Sequence, residues 1–151
     1  MSRYHFLKRE IMLSNFMRDT LQAKYDNSNY TKKIIETIVS NFDNKKNLTF
    51  TALKINCSNR TLQRAVKSAF DITFTQLIRT LKIYMALVFI QEDTELYDIV
   101  VELSFSELNS LNRDFKKVLG ITPTTARRKL QYMTADEIFK ENYHYKKLCH
   151  L

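Results

Sequence analysis

Apolar residues recur at helical spacing along most of the chain, and few residues interrupt the pattern. The longest such segment spans 74–91 and ends at the polar run 92–95. Its predicted core stripe consists of Phe74, Leu77, Ile78, Leu81, Met85 and Val88. Apolar groups at this spacing form one face of an α-helix. With one glycine and one proline in 151 residues, the chain has few residues suited to tight hairpins, so we predict an all-α protein.

Two stretches of the chain repeat each other. Residues 62–73 are LQRAVKSAFDIT and residues 111–122 are LNRDFKKVLGIT, so five of twelve positions are identical at a separation of 49. Each stretch follows a short amphipathic segment, 48–55 in the first copy and 96–103 in the second. The separation is 48 in the short segments and 49 in the longer ones, which indicates one added residue between them.

Turn and cap residues predict where the helices of each copy begin and end. Asn56 tolerates a left-handed backbone, and Ser58 and Ser106 are suited to cap the N-terminus of the second helix of their copies. Gly120 stands at the position that ends this helix in the second copy, and Pro123 opens a further short helix. A helix, a short turn and a second helix form a helix-turn-helix.

These signals predict two helix-turn-helix subdomains joined by a long linker helix, with an extra N-terminal helix. The predicted segments are an N-terminal helix and linker (1–33), a first helix-turn-helix subdomain (34–73), the linker helix (74–91), a second helix-turn-helix subdomain (92–130) and a C-terminal tail (131–151). The tyrosine-rich tail is expected either to form a helix from Thr134 or to pack as a tail, and no function is assigned to it.

The apolar residues of the first segment have two possible roles. They either pack on the domain or form a surface for a dimer or another partner. These residues are Phe6, Leu13, Phe16, Met17 and Leu21.

The net charge of +8 favours a polyanionic partner, although a basic surface also serves solubility alone. No apolar run approaches the roughly 18–20 residues of a membrane span, and the basic N-terminus is not followed by the apolar block of a signal peptide. We therefore expect a cytoplasmic protein without a membrane partner. Glycine-rich phosphate loops, metal-ligand clusters and Ser/His/Asp arrangements are missing from the sequence, so we expect neither an enzyme nor a cofactor. His144, Cys149 and His150 suit a solvated tail better than a metal site.

A helix-turn-helix places its second helix in the major groove of DNA. Two such units in one chain are expected to enter successive grooves on one face of double-stranded DNA, about 34 Å apart. A linker helix of about 18 residues spans about 27 Å, which is a plausible spacing if the DNA bends or the units tilt. The predicted recognition helices are about 59–69 and about 107–118, and the outer face of the second is less basic.

The stretch IVVELSFSELNSLNRDFKKVLGITP (99–123) resembles the DNA-binding domain of the AraC/XylS family of bacterial transcription regulators. The matching residues are Ile99, Phe105, Arg113, Phe115, Lys116, Gly120, Thr122 and Pro123. The resemblance covers about 34–130 and implies a sequence-specific DNA-binding regulator in a bacterial cytoplasm. Because most relatives activate transcription, it further implies an activator that contacts RNA polymerase. We expect a monomer on DNA, with a dimer through the N-terminal helix as the alternative.

The resemblance places Arg60, Gln63 and Arg64 against the bases. Arginine pairs with guanine, asparagine or glutamine with adenine, and an apolar side chain with the thymine methyl group. The full set of expected base contacts is Asn59, Arg60, Gln63, Arg64, Leu108, Asn109, Asn112 and Arg113. The expected phosphate contacts, which fix register without specifying sequence, are Lys67, Lys116, Lys117, Thr124, Arg127, Arg128 and Lys129.

Departures from the family pattern support a second hypothesis. Asn56, Ser104 and Asp71 stand where relatives have glycine, and a left-handed serine costs about 1 kcal/mol or more. Thr51 replaces an apolar residue. Together with the acidic Glu107 and Asp114, these departures favour, as the alternative, a degenerate family member that acts as a protein-interaction module on another regulator or on RNA polymerase. A structural role against Asp114 or against a phosphate, in place of a base contact, is an alternative for Arg113.

Overall fold

The computed structural model describes residues 3–21, 29–40, 48–143 and 145, and these residues form helices and the turns between them, without a strand. The helices are α1 (Arg3–Asn15), which continues into a π-helical turn (Phe16–Thr20), α2 (Asn29–Ser40), α3 (Leu48–Lys54), α4 (Asn59–Phe70), α5 (Phe74–Gln91), α6 (Leu96–Glu102), α7 (Leu108–Leu119), α8 (Pro123–Lys129) and α9 (Ala135–Asn142). The predicted all-α fold is confirmed.

The chain forms two compact units that divide between Phe74 and Thr75. The first unit contains α1 to α4, and the second contains α6 to α9 together with all of α5 except its first residue. The helix predicted as a linker therefore clusters with the second unit. The finer segment boundaries of the sequence analysis stay predictions.

The N-terminal helix contributes to the core of the first unit. Leu13, Phe16, Met17 and Leu21 are all at most 2% exposed, and α1 packs against α2. Of the two roles considered for these apolar residues, packing on the domain is the one observed for these four. The side chain of Phe6 lies outside the described residues.

The turn of the first helix-turn-helix follows the expected local chemistry. Asn56 has a φ of 59°, and the next amide, that of Cys57, donates to the carbonyl of Ala52 at 3.0 Å. The hydroxyl of Ser58 then accepts from the Thr61 amide at 3.1 Å, which satisfies one of the free N–H groups at the start of α4. The predicted left-handed residue and N-cap are both confirmed.

The second helix-turn-helix repeats this turn but not its cap. Ser104 has a φ of 56°, and the amide of Phe105 donates to the carbonyl of Val100 at 2.9 Å. The predicted cap at Ser106 is wrong. Glu107 occupies the N-cap position, and its side chain makes no capping hydrogen bond.

The residue added to the second copy explains this difference. One residue, Cys57, separates the left-handed residue from the N-cap in the first copy, whereas Phe105 and Ser106 separate them in the second. The extra residue moves Ser106 away from the cap, and its hydroxyl instead lies 2.7 Å from the hydroxyl of Ser110. The glutamate that follows has a side chain that is poorly suited to capping.

We expect Glu107→Asp to stabilise the second unit by about 0.5–1 kcal/mol, because aspartate is among the best N-cap residues. Thermal and urea unfolding followed by circular dichroism measure this gain. Glu102→Asp, at an exposed position near the end of α6, is the matched control and should not stabilise the protein. A Glu107→Asp variant no more stable than the original would contradict the assignment of residue 107 as the N-cap.

The residues that end α4 and α7 both adopt the left-handed conformation. Asp71 has a φ of 65° and Gly120 a φ of 67°. The amide of Asp71 donates to the Lys67 carbonyl, and that of Gly120 to the Lys116 carbonyl, both at 2.9 Å. The aspartate that replaces the family glycine therefore keeps the glycine conformation.

The buried surface of helix α5 is wider than the apolar stripe that the sequence predicts. Phe74, Leu77, Leu81, Met85 and Val88 are buried as predicted, while Ile78 is half-buried. In addition, every residue from 83 to 90 is buried. The sequence pattern therefore located the helix correctly but underestimated the number of its faces that are covered.

The C-terminal segment forms a helix from Thr134, one of the two alternatives considered. The Thr134 hydroxyl accepts from the Glu137 amide at 3.1 Å, and the Glu137 carboxylate accepts from the Thr134 amide, so the two residues form a capping box. Ile138 and Phe139 of α9 are fully buried. Burial and the carboxylate of Asp136 raise the pKa of Tyr84, which faces Phe139, well above its usual range.

No single helix of the described ranges is long and apolar enough to cross a membrane; α4 and α5 satisfy the criteria only when taken together as a bent pair. His144, Cys149 and His150, considered as metal ligands, lie outside the described residues. Cys57 is a half-buried free thiol.

Candidate DNA-binding surface

Helix α4 separates an apolar face from a polar, basic one. Leu62 and Val66 are fully buried. The five residues predicted to point outward are all exposed: Asn59, Arg60, Gln63, Arg64 and Lys67. The sequence therefore identified correctly which side of this helix is accessible.

Two of these five side chains contact other parts of the first unit. The Asn59 amide nitrogen Nδ2 donates to the Thr49 hydroxyl at 3.1 Å, which ties the start of α4 to α3. The Lys67 ammonium donates to the carbonyl of Asp71 at 3.1 Å, at the left-handed residue that ends the helix. Both contacts are at exposed positions.

The side chains of Arg60, Gln63 and Arg64 form no hydrogen bond or ion pair with the part of the chain that the structure describes. They occupy the first two turns of α4, whose position is set by the Ser58 cap. Arg60 and Arg64 are one helical turn apart and therefore lie on the same face. The first unit thus presents two guanidinium groups and an amide from a fixed helix.

The outward face of α7 is less uniform. Asn109, Arg113, Lys116 and Lys117 are exposed, whereas Leu108 and Asn112 are half-buried. Leu111 and Phe115 anchor the opposite face and are fully buried. All six predicted contact residues of this helix retain accessible surface.

The structure does not show the proposed structural role of Arg113 against Asp114. Residues adjacent in a helix do not face each other, and the Arg113 guanidinium instead donates to the Ser110 hydroxyl at 3.3 Å. Asp114 pairs with Arg79 of α5, with 3.4 Å between the carboxylate Oδ1 and Nε. Arg79 was not predicted as a functional residue, because it lies on the helix interpreted as a linker.

Helix α8 extends the basic surface of the second unit. Thr122 caps the helix by accepting from the Thr125 amide at 3.2 Å, and Pro123 occupies its first turn as predicted. Thr124, Arg127 and Arg128 are exposed. Lys129 is instead half-buried and pairs with Glu141 at 3.8 Å, so a phosphate contact by Lys129 competes with this ion pair.

A pocket of about 690 Å³ lies between α7 and the start of α8. Its lining residues are Leu96, Asn112, Arg113, Lys116, Lys117, Thr122, Pro123 and Thr124. Three of them are cationic and none carries a carboxylate. Five of the eight are predicted DNA contacts: Asn112 and Arg113 as base contacts, and Lys116, Lys117 and Thr124 as phosphate contacts.

Comparison with known protein families supports the assignment of these two units. A model of a helix-turn-helix domain matches residues 51–129, a range that begins within α3, ends with α8 and covers more than half of the chain. No curated protein and no solved structure gives a significant match. The matching domain is the AraC-type helix-turn-helix, a DNA-binding regulatory domain. The chain therefore belongs to the AraC/XylS family of helix-turn-helix proteins and is a DNA-binding transcription regulator.

Proposed function

We propose that the protein binds specific DNA sequences by inserting α4 and α7 into successive major grooves. The observation that carries this proposal is the outer face of α4. There, Arg60, Gln63 and Arg64 are exposed on a capped helix and have no partner among the described residues. Side chains that are not engaged within the protein are available to hydrogen-bond with base edges at little cost in broken contacts.

The two helices contribute different chemistry to this interface. Arg60 and Arg64 suit guanine and Gln63 suits adenine, because each forms two hydrogen bonds with its base in the major groove. On α7, Asn109 and Asn112 suit adenine, and Leu108 suits the thymine methyl group. The first unit therefore supplies the more strongly charged contacts, and the second supplies a mixed polar and apolar surface.

The phosphate contacts place the second unit on the backbone. Lys116, Lys117 and Thr124 line the cationic pocket, while Arg127 and Arg128 are exposed on the following helix. A DNA phosphate beside this pocket would meet Lys116 and Lys117, and no lining residue carries a carboxylate. Such contacts bind every sequence and make affinity depend on salt.

Activation of transcription by a monomer on DNA, through contact with RNA polymerase in a bacterial cytoplasm, completes the proposal. This part of the proposal rests on membership of the family, most of whose members activate transcription.

The alternative is a protein-interaction module, and one observation favours it. Tyr97 and Val101 lie four residues apart on α6 and are 73% and 77% exposed. Residues at this spacing share a helix face, so α6 presents an apolar strip to solvent. The exposed strip is equally compatible with a regulator that binds both DNA and another protein.

Selection of bound fragments from random double-stranded DNA tests the proposal against the alternative. We expect an enriched sequence with two half-sites about 10 base pairs apart, centre to centre, because two major grooves on one DNA face have this separation. Binding without an enriched sequence, or no binding at low salt, would support the interaction module instead.

A further inference from the structure

The C-terminal segment contacts the second recognition helix through one arginine. The Arg79 guanidinium of α5 donates from Nη1 to the Tyr145 hydroxyl at 3.0 Å. Its Nε atom lies 3.4 Å from Asp114 Oδ1 of α7. Arginine presents several donors in one rigid plane, so a single side chain joins three parts of the second unit.

Tyr145 is held in place by contacts that begin in α9. The Tyr143 hydroxyl lies 3.0 Å from the hydroxyl of Thr80, which is fully buried on α5. The ring of Tyr143 packs against Phe139 at 5.5 Å and against Tyr145 at 5.9 Å between centroids. These contacts fix the hydroxyl that orients Arg79. The hydrogen bond to Tyr145 is also the main reason that the pKa of Arg79 lies above its usual value.

Asp114 lies beside the residues proposed to contact DNA. It directly follows Arg113 and precedes Lys116 by two residues, but its side chain is directed to Arg79. An ion pair on the flank of a helix opposes rotation of that helix about its axis. Because side chains reach about 5–6 Å from the axis, a rotation of about 10° moves their ends by about 1 Å. Shifts of this size matter for hydrogen bonds with narrow distance limits.

We propose that Arg79 and Tyr145 are positioning residues for α7, so that the C-terminal segment sets the base preference of the second unit. This inference rests on the proposed insertion of α7 into DNA. Tyr145 lies beyond the matched range 51–129, and so does all of α9. The C-terminal segment, to which the sequence assigned no function, would therefore hold α7 in position.

Tyr145→Phe tests the inference, because it removes the hydroxyl and keeps the ring. With the sequence selected by the original protein, we expect specific affinity to fall about 3- to 10-fold, the effect of one hydrogen bond. Affinity for unrelated DNA should stay unchanged. Repeating the selection should show weaker base preference in the half-site bound by α7 and full preference in the half-site bound by α4.

Arg79→Lys provides a second variant that keeps the positive charge but loses the planar geometry, and it should give the same pattern. Tyr132→Phe, at a position 74% exposed, is the matched control and should change nothing. Unfolding curves of each variant separate lost stability from lost positioning. If both variants fold and keep full preference in the second half-site, the inference is wrong. If selection with the original protein enriches no sequence, the proposed function itself is wrong, and this result is distinct from a failure of the inference about Arg79 and Tyr145.

Discussion

Phe139→Ala is expected to destabilise the second unit by about 3–5 kcal/mol, the usual cost of removing a fully buried phenylalanine side chain. Phe139 is completely buried. Its ring meets Tyr84 of α5 edge-on, with 5.8 Å between centroids and 71° between planes. The variant leaves a cavity between α5 and α9. Since domains are stable by only about 5–15 kcal/mol in total, a large part of the second unit's stability would be lost.

Urea unfolding followed by circular dichroism measures this loss. Tyr132→Ala is the control, because Tyr132 is an aromatic residue 74% exposed just before α9, and its removal should cost less than about 0.5 kcal/mol. The prediction is informative because Phe139 lies outside the matched range 51–129. A Phe139→Ala protein within about 1 kcal/mol of the original would mean that α9 is not part of the folded core.

The parts of the fold that depend on local chemistry were predictable from the sequence. Ser58 caps α4 because its hydroxyl reaches an amide three residues away. Asn56 and Gly120 adopt the left-handed conformation for which their side chains carry the least penalty. The resemblance to the family marked Ser104 and Asp71 as positions where relatives have glycine, and both residues are left-handed.

The repeat also produced the one wrong cap. Aligning Ser106 with Ser58 ignored the position of the added residue, which lies in the turn itself. The backbone conformation locates the added residue in the turn. The left-handed residues Asn56 and Ser104 are 48 positions apart, whereas the N-cap residues Ser58 and Glu107 are 49 positions apart. Sequence similarity determined that a residue was added but not on which side of the cap.

Long-range contacts were beyond the reach of sequence patterns. Arg79 and Tyr145 are 66 residues apart, and nothing in the spacing of either residue indicates the other. Similarly, the short helix α9 has too few turns for its periodicity to show that Ile138 and Phe139 enter the core. For the candidate site, the pattern predicted which faces are exposed, while the assignment of individual bases and phosphates stays a prediction.

Arg64→Ala is expected to weaken binding to the selected DNA sequence by about 1–3 kcal/mol, or about 5- to 150-fold, and to relax the preference at one base pair. Arg64 lies one turn after Arg60 on α4 and is exposed without a partner among the described residues. Its removal should therefore leave the stability of the first unit almost unchanged. Fluorescence anisotropy with the selected sequence and its single-base variants measures both effects.

Lys116→Ala is the matched control, since it also removes one exposed cation from a recognition helix. Because Lys116 is assigned to a phosphate, the variant should weaken binding to all sequences by the same factor. The slope of log affinity against log salt concentration should become smaller by about 1. Arg64→Ala should instead change the ranking of sequences, because a base contact carries information that a phosphate contact lacks. If Arg64→Ala lowered affinity for every sequence by the same factor, Arg64 would contact the backbone, and the base-recognising face of α4 would have to be reassigned around Arg60 and Gln63.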